Sequence, residues 1–232
     1  MSNGCFPGSD SDTRNGIGSA CGTVNEIATE GPGSVEPNAD RLTAPEEPDA
    51  QLEHLIRSWR AQLSLWAANG RISRAAQIAL NLSDQHPQLH EFVAMIASGD
   101  FRPLPQILVL NWEEMEGSAC AYAPERGLIL INREWLENAV DEQVFAVLTE
   151  QLGHHLDVLF NPLDTPGDEG ELFLECLRGG DPSDDTIALF RNEEPGGVVH
   201  LHGETLSVEE AGVGAVCFDL RDLPNPSKQP PA

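Results

Sequence analysis

The sequence contains few aromatic and few basic residues. Aromatic residues make up 6% of the 232 residues, so a folded core has to be built mainly from leucine, isoleucine, valine and alanine. Lysine and arginine together number 13 against 38 aspartates and glutamates, which gives a formal net charge of −25. Because a phosphate backbone or an anionic membrane surface is bound through clustered lysine and arginine, this charge argues against nucleic acid and membrane as partners. It favours a solvated acidic surface or the binding of hard cations.

The sequence also lacks the features that identify a compartment or a common cofactor. No basic segment followed by an apolar run opens the chain, and no stretch approaches the roughly 18 apolar residues of a membrane span. We therefore expect a soluble protein without membrane insertion, cytoplasmic or exported by a signal-independent route, and the compartment stays unknown. The five cysteines form no CxxC pair, and nucleophile-elbow, P-loop and dinucleotide motifs are absent. Cys120 is predicted to be a buried core thiol and not a nucleophile.

Composition divides the chain into three parts. Residues 1–50 are rich in Gly, Ser, Pro, Asn and acidic residues and are poor in large apolar ones, so they cannot bury enough surface to offset the entropy of ordering them. We predict a disordered N-terminal tail there and a short disordered C-terminal tail at 223–232. Residues 51–222 are predicted to form a single domain.

Hydrophobic spacing and turn residues predict an α+β fold between the tails. A helical lead-in comes first, then a small sheet, then one central helix, and finally two helices and a hairpin that turns at Gly203. The predicted lead-in helices start near Leu52 and cover Ile72–Leu82 and Pro87–Ala97. The predicted strands are Gln106–Leu110 and Leu128–Asn132, the central helix includes Val144–Asp157, and the later helices are Glu169–Leu177 and Asp184–Phe190.

The central helix, VFAVLTEQLGHHLD, carries the residues that indicate chemistry. Its leucines and valines share one broad side, whereas Glu150, His154 and Asp157 cluster on the opposite side. Residues four apart lie one above the other on a helix, so Glu150 and His154 can point at one ion, with the spacing that zinc proteases use in HExxH. Asp157 lies one turn further on and is predicted either to bind the ion or to hold the histidine ring.

A third ligand is expected from the acidic segment that follows the helix. Asp168 and Glu169 are the first candidates, and Glu171 is the next. A divalent metal is the predicted cofactor; zinc is the expected ion, with calcium or manganese as alternatives, because a carboxylate in place of the first histidine also suits harder cations.

Other interpretations of the same histidines remain open. A charged triplet opposite an apolar stripe is also what an ordinary surface helix shows, in which case Glu150, His154 and Asp157 would face solvent. His155 lies beside the apolar side and is predicted to be a partly buried structural residue. His200 and His202 alternate on the predicted hairpin, where they form either a metal pair or part of a solvated strand face.

The segment LTEQLGHHLD followed by NPLDTPGDEGE resembles a region of large cyanobacterial and other bacterial surface, hemolysin-like and repeat-containing proteins. The likeness runs from about Leu52 to Val208. That region in turn looks like a zincin, in which an edge strand and a short linker precede the metal-binding helix. The resemblance implies a zincin-like scaffold, with Glu150 at the place of the first histidine and His154 at the second.

The resemblance also places Gln151 at the position of the catalytic glutamate. A carboxylate there takes a proton from the metal-bound water, and an amide cannot do so. The sequence therefore predicts either a metallopeptidase-like hydrolase that is impaired or inactive, or a non-catalytic cation-binding module for adhesion or assembly in a larger surface system. A peptide or protein substrate is the expected partner in the first case, and a partner protein in the second.

Overall fold

The computed structural model describes residues 48–179 and 181–211. Within these ranges the chain is α+β, with seven described helices and a small mixed sheet. The predicted disordered tails lie outside the described residues, except that residues 48–50 already belong to the first helix. Residues 212–222, the end of the predicted domain, are also outside the described part.

The helical lead-in consists of α1 (Pro48–Ala68), α2 (Arg71–Ala79) and α3 (Pro87–Ala97). Gly70 separates the first two helices in a left-handed conformation with φ of 81°, which glycine adopts without strain. The prediction for α3 is confirmed, whereas α2 ends three residues earlier than predicted. The apolar face of α1 lies in the core through Leu55, Trp59 and Leu63.

Five strands form one sheet in the order β1-β3-β2-β5-β4. The strand β3 pairs in parallel with β1, and all other neighbouring pairs are antiparallel. The predicted strands and hairpin are confirmed, and β2, which was not predicted, adds a strand of four fully buried residues. The strands are β1 (Gln106–Leu110), β2 (Cys120–Ala123), β3 (Leu128–Asn132), β4 (Gly196–Leu201) and β5 (Glu204–Glu210).

The position of β3 departs from the zincin-like expectation. β3 is the last strand before the central helix and was expected at the edge of the sheet, but it lies between β1 and β2. A short helix, α4 (Arg133–Leu136), follows it directly, begun by Asn132, whose side chain accepts a hydrogen bond from the backbone N–H of Trp135. The architecture is thus a mixed sheet with an internal strand leading towards the central helix.

The central helix, α5 (Asp141–Phe160), is buried along most of its length. Every residue from Val144 to Asp157 is buried, including the charged ones, so the interpretation of Glu150, His154 and Asp157 as a solvent-exposed face is wrong. The helix begins after Val140, whose N–H donates to the side chain of Gln143, and ends before Asn161.

Two further helices follow, α6 (Glu169–Gly179) and α7 (Asp184–Phe190). Of these, α6 packs against α5 and α7 packs against α6. The close approach of α5 and α6 depends on two glycines: a Cβ added to Gly153 would lie 2.7 Å from the Cα of Gly170 and 2.9 Å from the Cβ of Phe173. The absence of side chains at this crossing is what allows α6 to cover the polar face of α5.

In the part of the chain that the structure describes, the helices are too short or too polar for any of them to traverse a bilayer.

Candidate metal centre

Glu150 and His154 lie one turn apart on α5 and are both fully buried. A buried charge is costly unless an opposite charge or a metal ion compensates it. Part of the compensation comes from Arg178 on α6: burial lowers the pKa of its guanidinium, and the negative charges of Glu175 and Glu150 oppose that effect. The pair therefore occupies a polar interior between α5 and α6.

Asp168 completes one side of this interior at the start of α6. Its Oδ1 accepts a hydrogen bond of 2.7 Å from the backbone N–H of Glu171, so the carboxylate caps the helix. The same oxygen lies 3.7 Å from Nε2 of His154. One ligand atom from each of Glu150, His154 and Asp168 lies within 4.8 Å of the other two, which is the convergence that a metal site requires.

The Nε2 atom of His154 is the least satisfied atom of this group. It is buried and has no hydrogen-bond partner among the described residues, and the 3.7 Å to Asp168 is too long for a hydrogen bond. Buried polar atoms are rarely left in this state unless a water or an ion completes them. Nε2 thus lies near the buried carboxylates of Glu150 and Asp168 without a hydrogen-bond partner of its own.

The other ring nitrogen of His154 lies between two carboxylates. Nδ1 is 2.8 Å from Oε1 of Glu169 and 2.7 Å from Oε2 of Glu209. Burial disfavours the charged ring, but the adjacent carboxylates of Glu169 and Glu209 outweigh it and hold the pKa of His154 well above its usual range. The hydrogen bond of Nδ1 goes to Glu169. Burial raises the pKa of Glu169, and its hydrogen bond to His154 works against that rise.

Glu209 is a site residue that the sequence interpretation missed. It lies on β5, which brings it to the ring by pairing with β2, and its side chain is 20% exposed. The sequence offered only one signal, a Glu-Glu pair at the end of an alternating strand, and nothing local connected that pair with α5. Glu209 is the one member of the cluster around His154 that reaches solvent to this extent.

Gly170 fixes how closely α6 lies against the histidine ring. A Cβ at this position would overlap the ring, within 2.7 Å of Nε2, Cδ2 and Cε1. The three distances are similar, so the added Cβ would lie over the face of the ring. An atom in the plane of the ring beyond Nε2 would be much further from the two carbons than from the nitrogen. Gly170 therefore does not block the approach of a ligand to Nε2 in the plane of the ring.

Asp157 holds the loop that carries the acidic segment. Its carboxylate accepts hydrogen bonds from the backbone N–H of Thr165 at 3.0 Å, from the hydroxyl of Thr165 at 2.5 Å and from the amide of Asn161 at 2.5 Å. None of the described hydrogen bonds joins it to His154. One of its oxygens also lies within 4.8 Å of Asp164 and Glu169, so these three carboxylates form an acidic cluster next to the ring's partner Glu169.

Arg191 adds a positive charge behind the same loop. Its guanidinium donates to the backbone carbonyls of Ala79 at 2.6 Å and of Pro166 at 3.2 Å. Burial lowers the pKa of Arg191, and the negative charges of Glu169 and Asp157 oppose that effect. Since its described hydrogen bonds all go to backbone carbonyls, it positions the loop and does not neutralise one particular carboxylate.

The remaining predicted site residues lie apart from the ring. Glu171 is half-buried and groups with Asp168 and Glu193 instead of His154; burial, then the charges of Asp168 and Glu193, raise its pKa to about 7. Gln151 is fully buried, and neither its amide nitrogen nor its carbonyl oxygen has a hydrogen-bond partner among the described residues.

The other histidines have structural partners. His155 is buried and shares a hydrogen bond of 2.9 Å with the Tyr122 hydroxyl and one of 3.1 Å with the Pro103 carbonyl, contacts that fit the structural role predicted for it. His200 lies 2.7 Å from a carboxylate oxygen of Glu116. His202 is in the hairpin turn with φ of 52° and does not alternate with His200 on a strand, so these two residues do not form the predicted strand pair.

The two clusters around His154 could hold a divalent ion, since each combines its imidazole with two carboxylates. A comparison with protein-family models, with curated proteins and with solved structures found no match.

Proposed function

We propose that Glu150, His154 and Asp168 bind a divalent cation that joins α5 to α6. The observation that carries the proposal is the buried Nε2 of His154, which lacks a hydrogen-bond partner and faces Asp168 Oδ1 at 3.7 Å. Its Nδ1 is held by Glu169 at 2.8 Å. Histidine ligands commonly use one nitrogen for the metal while a carboxylate orients the ring through the other.

Zinc fits this donor set better than calcium does. Calcium and magnesium prefer shells made only of oxygen, whereas His154 presents an imidazole nitrogen at the centre of the cluster. Zinc accepts imidazole nitrogen together with carboxylate oxygen, usually with four ligands in a structural site. Manganese remains the second ion to test, because carboxylates outnumber the histidine.

A structural role for the cation agrees with the burial of the site. Glu150 and His154 are fully buried, and Asp168 is 4% exposed. A hydrolytic zinc site needs an open coordination position that substrate can reach. Gln151, at the position expected for a catalytic base, is an amide and cannot accept the proton of a metal-bound water. We therefore favour a non-catalytic cation-binding module over an active hydrolase.

Adhesion or assembly in a larger surface system is the role that we propose for this module. The support is the resemblance of LTEQLGHHLD to segments of bacterial surface proteins, together with the acidic character of the chain. A cation that ties α5 to α6 would raise the stability of the native domain, since a ligand that binds only the native state always does so. A partner protein is the expected binding partner.

A zincin-like peptidase is the second candidate, and the spacing of Glu150 and His154 on one helix favours it. Its substrate would be a peptide or protein. A Gln151→Glu variant tests it directly: peptide cleavage that appears or rises in the zinc-loaded variant, and disappears when His154 is also replaced, would support a zincin-type site. A Gln151→Glu variant without any zinc-dependent cleavage would argue against it.

Thermal unfolding with metal titration tests the cation site. At zinc concentrations about one hundred times the dissociation constant, binding stabilises the native state by about 2.7 kcal/mol, which for a chain of this size raises the melting temperature by roughly 5–10 °C. We expect this rise in the wild type and its loss in His154→Asn. Elemental analysis of the dialysed protein should give one zinc per chain.

His155→Asn is the matched control, because it replaces a neighbouring buried histidine that bonds Tyr122 and Pro103 instead of the cluster. It should lower the melting temperature and retain the full zinc-dependent rise. A rise that is equal in His154→Asn and wild type, or that is absent from the wild type with zinc and with manganese, would contradict the proposal.

A further inference from the structure

A groove of about 470 Å³ lies between α1 and the segment that leads into β1. Apolar side chains from Ile56, Phe101, Leu104 and Ile107 form part of its walls, and polar side chains form the rest. None of the proposed cation ligands lines it, so this surface is a separate candidate site. Pockets of this size that combine apolar side chains with a few polar groups are typical of ligand-binding sites.

Arg60, Arg102 and Gln106 supply the polar groups of the groove, and Arg102 is already paired with Asp100. Arg60 is the other cation. Its guanidinium lies 5.6 Å from the centre of the Phe101 ring, and its Nε is buried without a hydrogen-bond partner. Among the described residues Arg60 forms no ion pair, whereas Arg74 and Arg126 pair with Asp181 and Glu204. In a chain with a net charge of −25, a guanidinium left without a carboxylate is a ready partner for an external one.

The groove adjoins an open edge of the sheet. β1 is the first strand in the sheet order, and no described strand pairs with its outer edge. The backbone groups of an edge strand can therefore bond an added strand. Leu108 on β1 is 36% exposed and Trp112 just beyond it is 52% exposed, so apolar side chains accompany the free backbone groups along this edge.

We propose that this groove binds an extended acidic peptide segment of a partner protein, which adds a strand along β1 and places a carboxylate on Arg60. The unpaired guanidinium provides the charge complementarity, and the apolar walls accept side chains that alternate with the acidic ones. A long polyanion such as nucleic acid would be repelled by the acidic surface, whereas a short peptide brings only a few charges to one cation. The inference does not depend on the cation centre.

Fluorescence anisotropy with the full chain tests the proposal. The probe is a fluorescein-labelled hexapeptide that alternates valine and glutamate, and we expect saturable binding. Arg60→Gln should weaken it roughly tenfold or more, because a charge-assisted hydrogen bond is lost. Arg57→Gln is the matched control: it lies one turn earlier on α1, is exposed and does not line the groove, so its affinity should equal that of the wild type.

Two further probes separate strand addition from simple charge capture. The same hexapeptide with N-methyl groups on alternate backbone nitrogens, and a version with lysine in place of glutamate, should each bind at least roughly tenfold more weakly. Three results would overturn the proposal. N-methylation could leave binding unchanged, free glutarate could compete with the affinity of the peptide, or Arg60→Gln could bind the peptide as tightly as the wild type. The absence of any saturable binding would overturn it as well.

The occupant can be identified with a photo-cross-linking residue at position 106, in place of the exposed Gln106. We expect a covalent adduct with the added hexapeptide. A dominant cross-link to residues 1–47 of the same chain, or to a second copy of the chain, would assign the groove to that occupant and overturn the proposal of a partner peptide.

Discussion

Replacing Gly170 with alanine should disrupt the contact between α6 and the ring of His154. The added Cβ would lie within 2.7 Å of three ring atoms, and neither the buried ring nor the backbone of α6 has room to move. Overpacking of this kind costs about 1–3 kcal/mol, which lowers the melting temperature by roughly 3–10 °C for a chain of this size. The shift should also displace Asp168 and Glu169, so the zinc-dependent stabilisation should fall.

Gly179→Ala is the matched control on the same helix. A Cβ there would meet only Oε1 of Glu175 at 4.0 Å, and alanine has the higher helix propensity, so the variant should be more stable than wild type by up to about 1 kcal/mol. Thermal unfolding of both variants, with and without zinc, gives the comparison. A Gly170→Ala protein with wild-type stability and the full zinc response would show that α6 does not lie against the ring.

Two more predictions concern the surroundings of the site. Asp157→Asn should lower the free energy of unfolding by about 2 kcal/mol in chemical denaturation, because the amide loses one of the two hydrogen bonds from Thr165. Zinc binding should persist in this variant. Loss of zinc binding would make Asp157 a ligand. Burial raises the pKa of Cys176 to about 11 and that of Cys120 well above its usual range. Both thiols should therefore resist iodoacetamide at pH 8 in the native protein and react after unfolding, which peptide mapping would show. Rapid native labelling of either thiol would contradict the burial.

Local sequence signals were sufficient for most individual elements. Pro87 at the start of α3, the apolar run that became β1 and the glycine turn at Gly203 each depend on neighbouring residues only, and the structure has them as predicted. The strand β2 was not predicted because its four residues are too few to show the alternation of apolar and polar side chains that identifies a strand. Its burial comes from β3 and β5 on its two sides.

The environment of the site could not be predicted from local patterns. A helical projection placed Glu150 and His154 opposite the apolar residues, which is also what a surface helix shows. Burial of that face depends on Gly153 and Gly170, which let a helix from further along the chain approach closely. Glu209 reaches Nδ1 only because β5 pairs with β2, and strand pairing over such a separation leaves no mark in either segment alone.

The two nitrogens of the His154 ring have different surroundings. On the Nδ1 side, Glu169 and Glu209 hold the ring. On the Nε2 side, Glu150 and Asp168 surround a nitrogen that has no described hydrogen-bond partner. A divalent cation on that side would neutralise buried carboxylates and satisfy the nitrogen together, which explains why so many acidic groups lie in the interior.

The most direct measurement is an anomalous difference map, collected at the zinc absorption edge, from crystals of the full chain grown with zinc. We expect one strong peak roughly 2.0–2.1 Å from Nε2 of His154, with carboxylate oxygens of Glu150 and Asp168 among the other ligands. A peak on the Nδ1 side between Glu169 and Glu209, or no peak beside His154, would contradict this expectation.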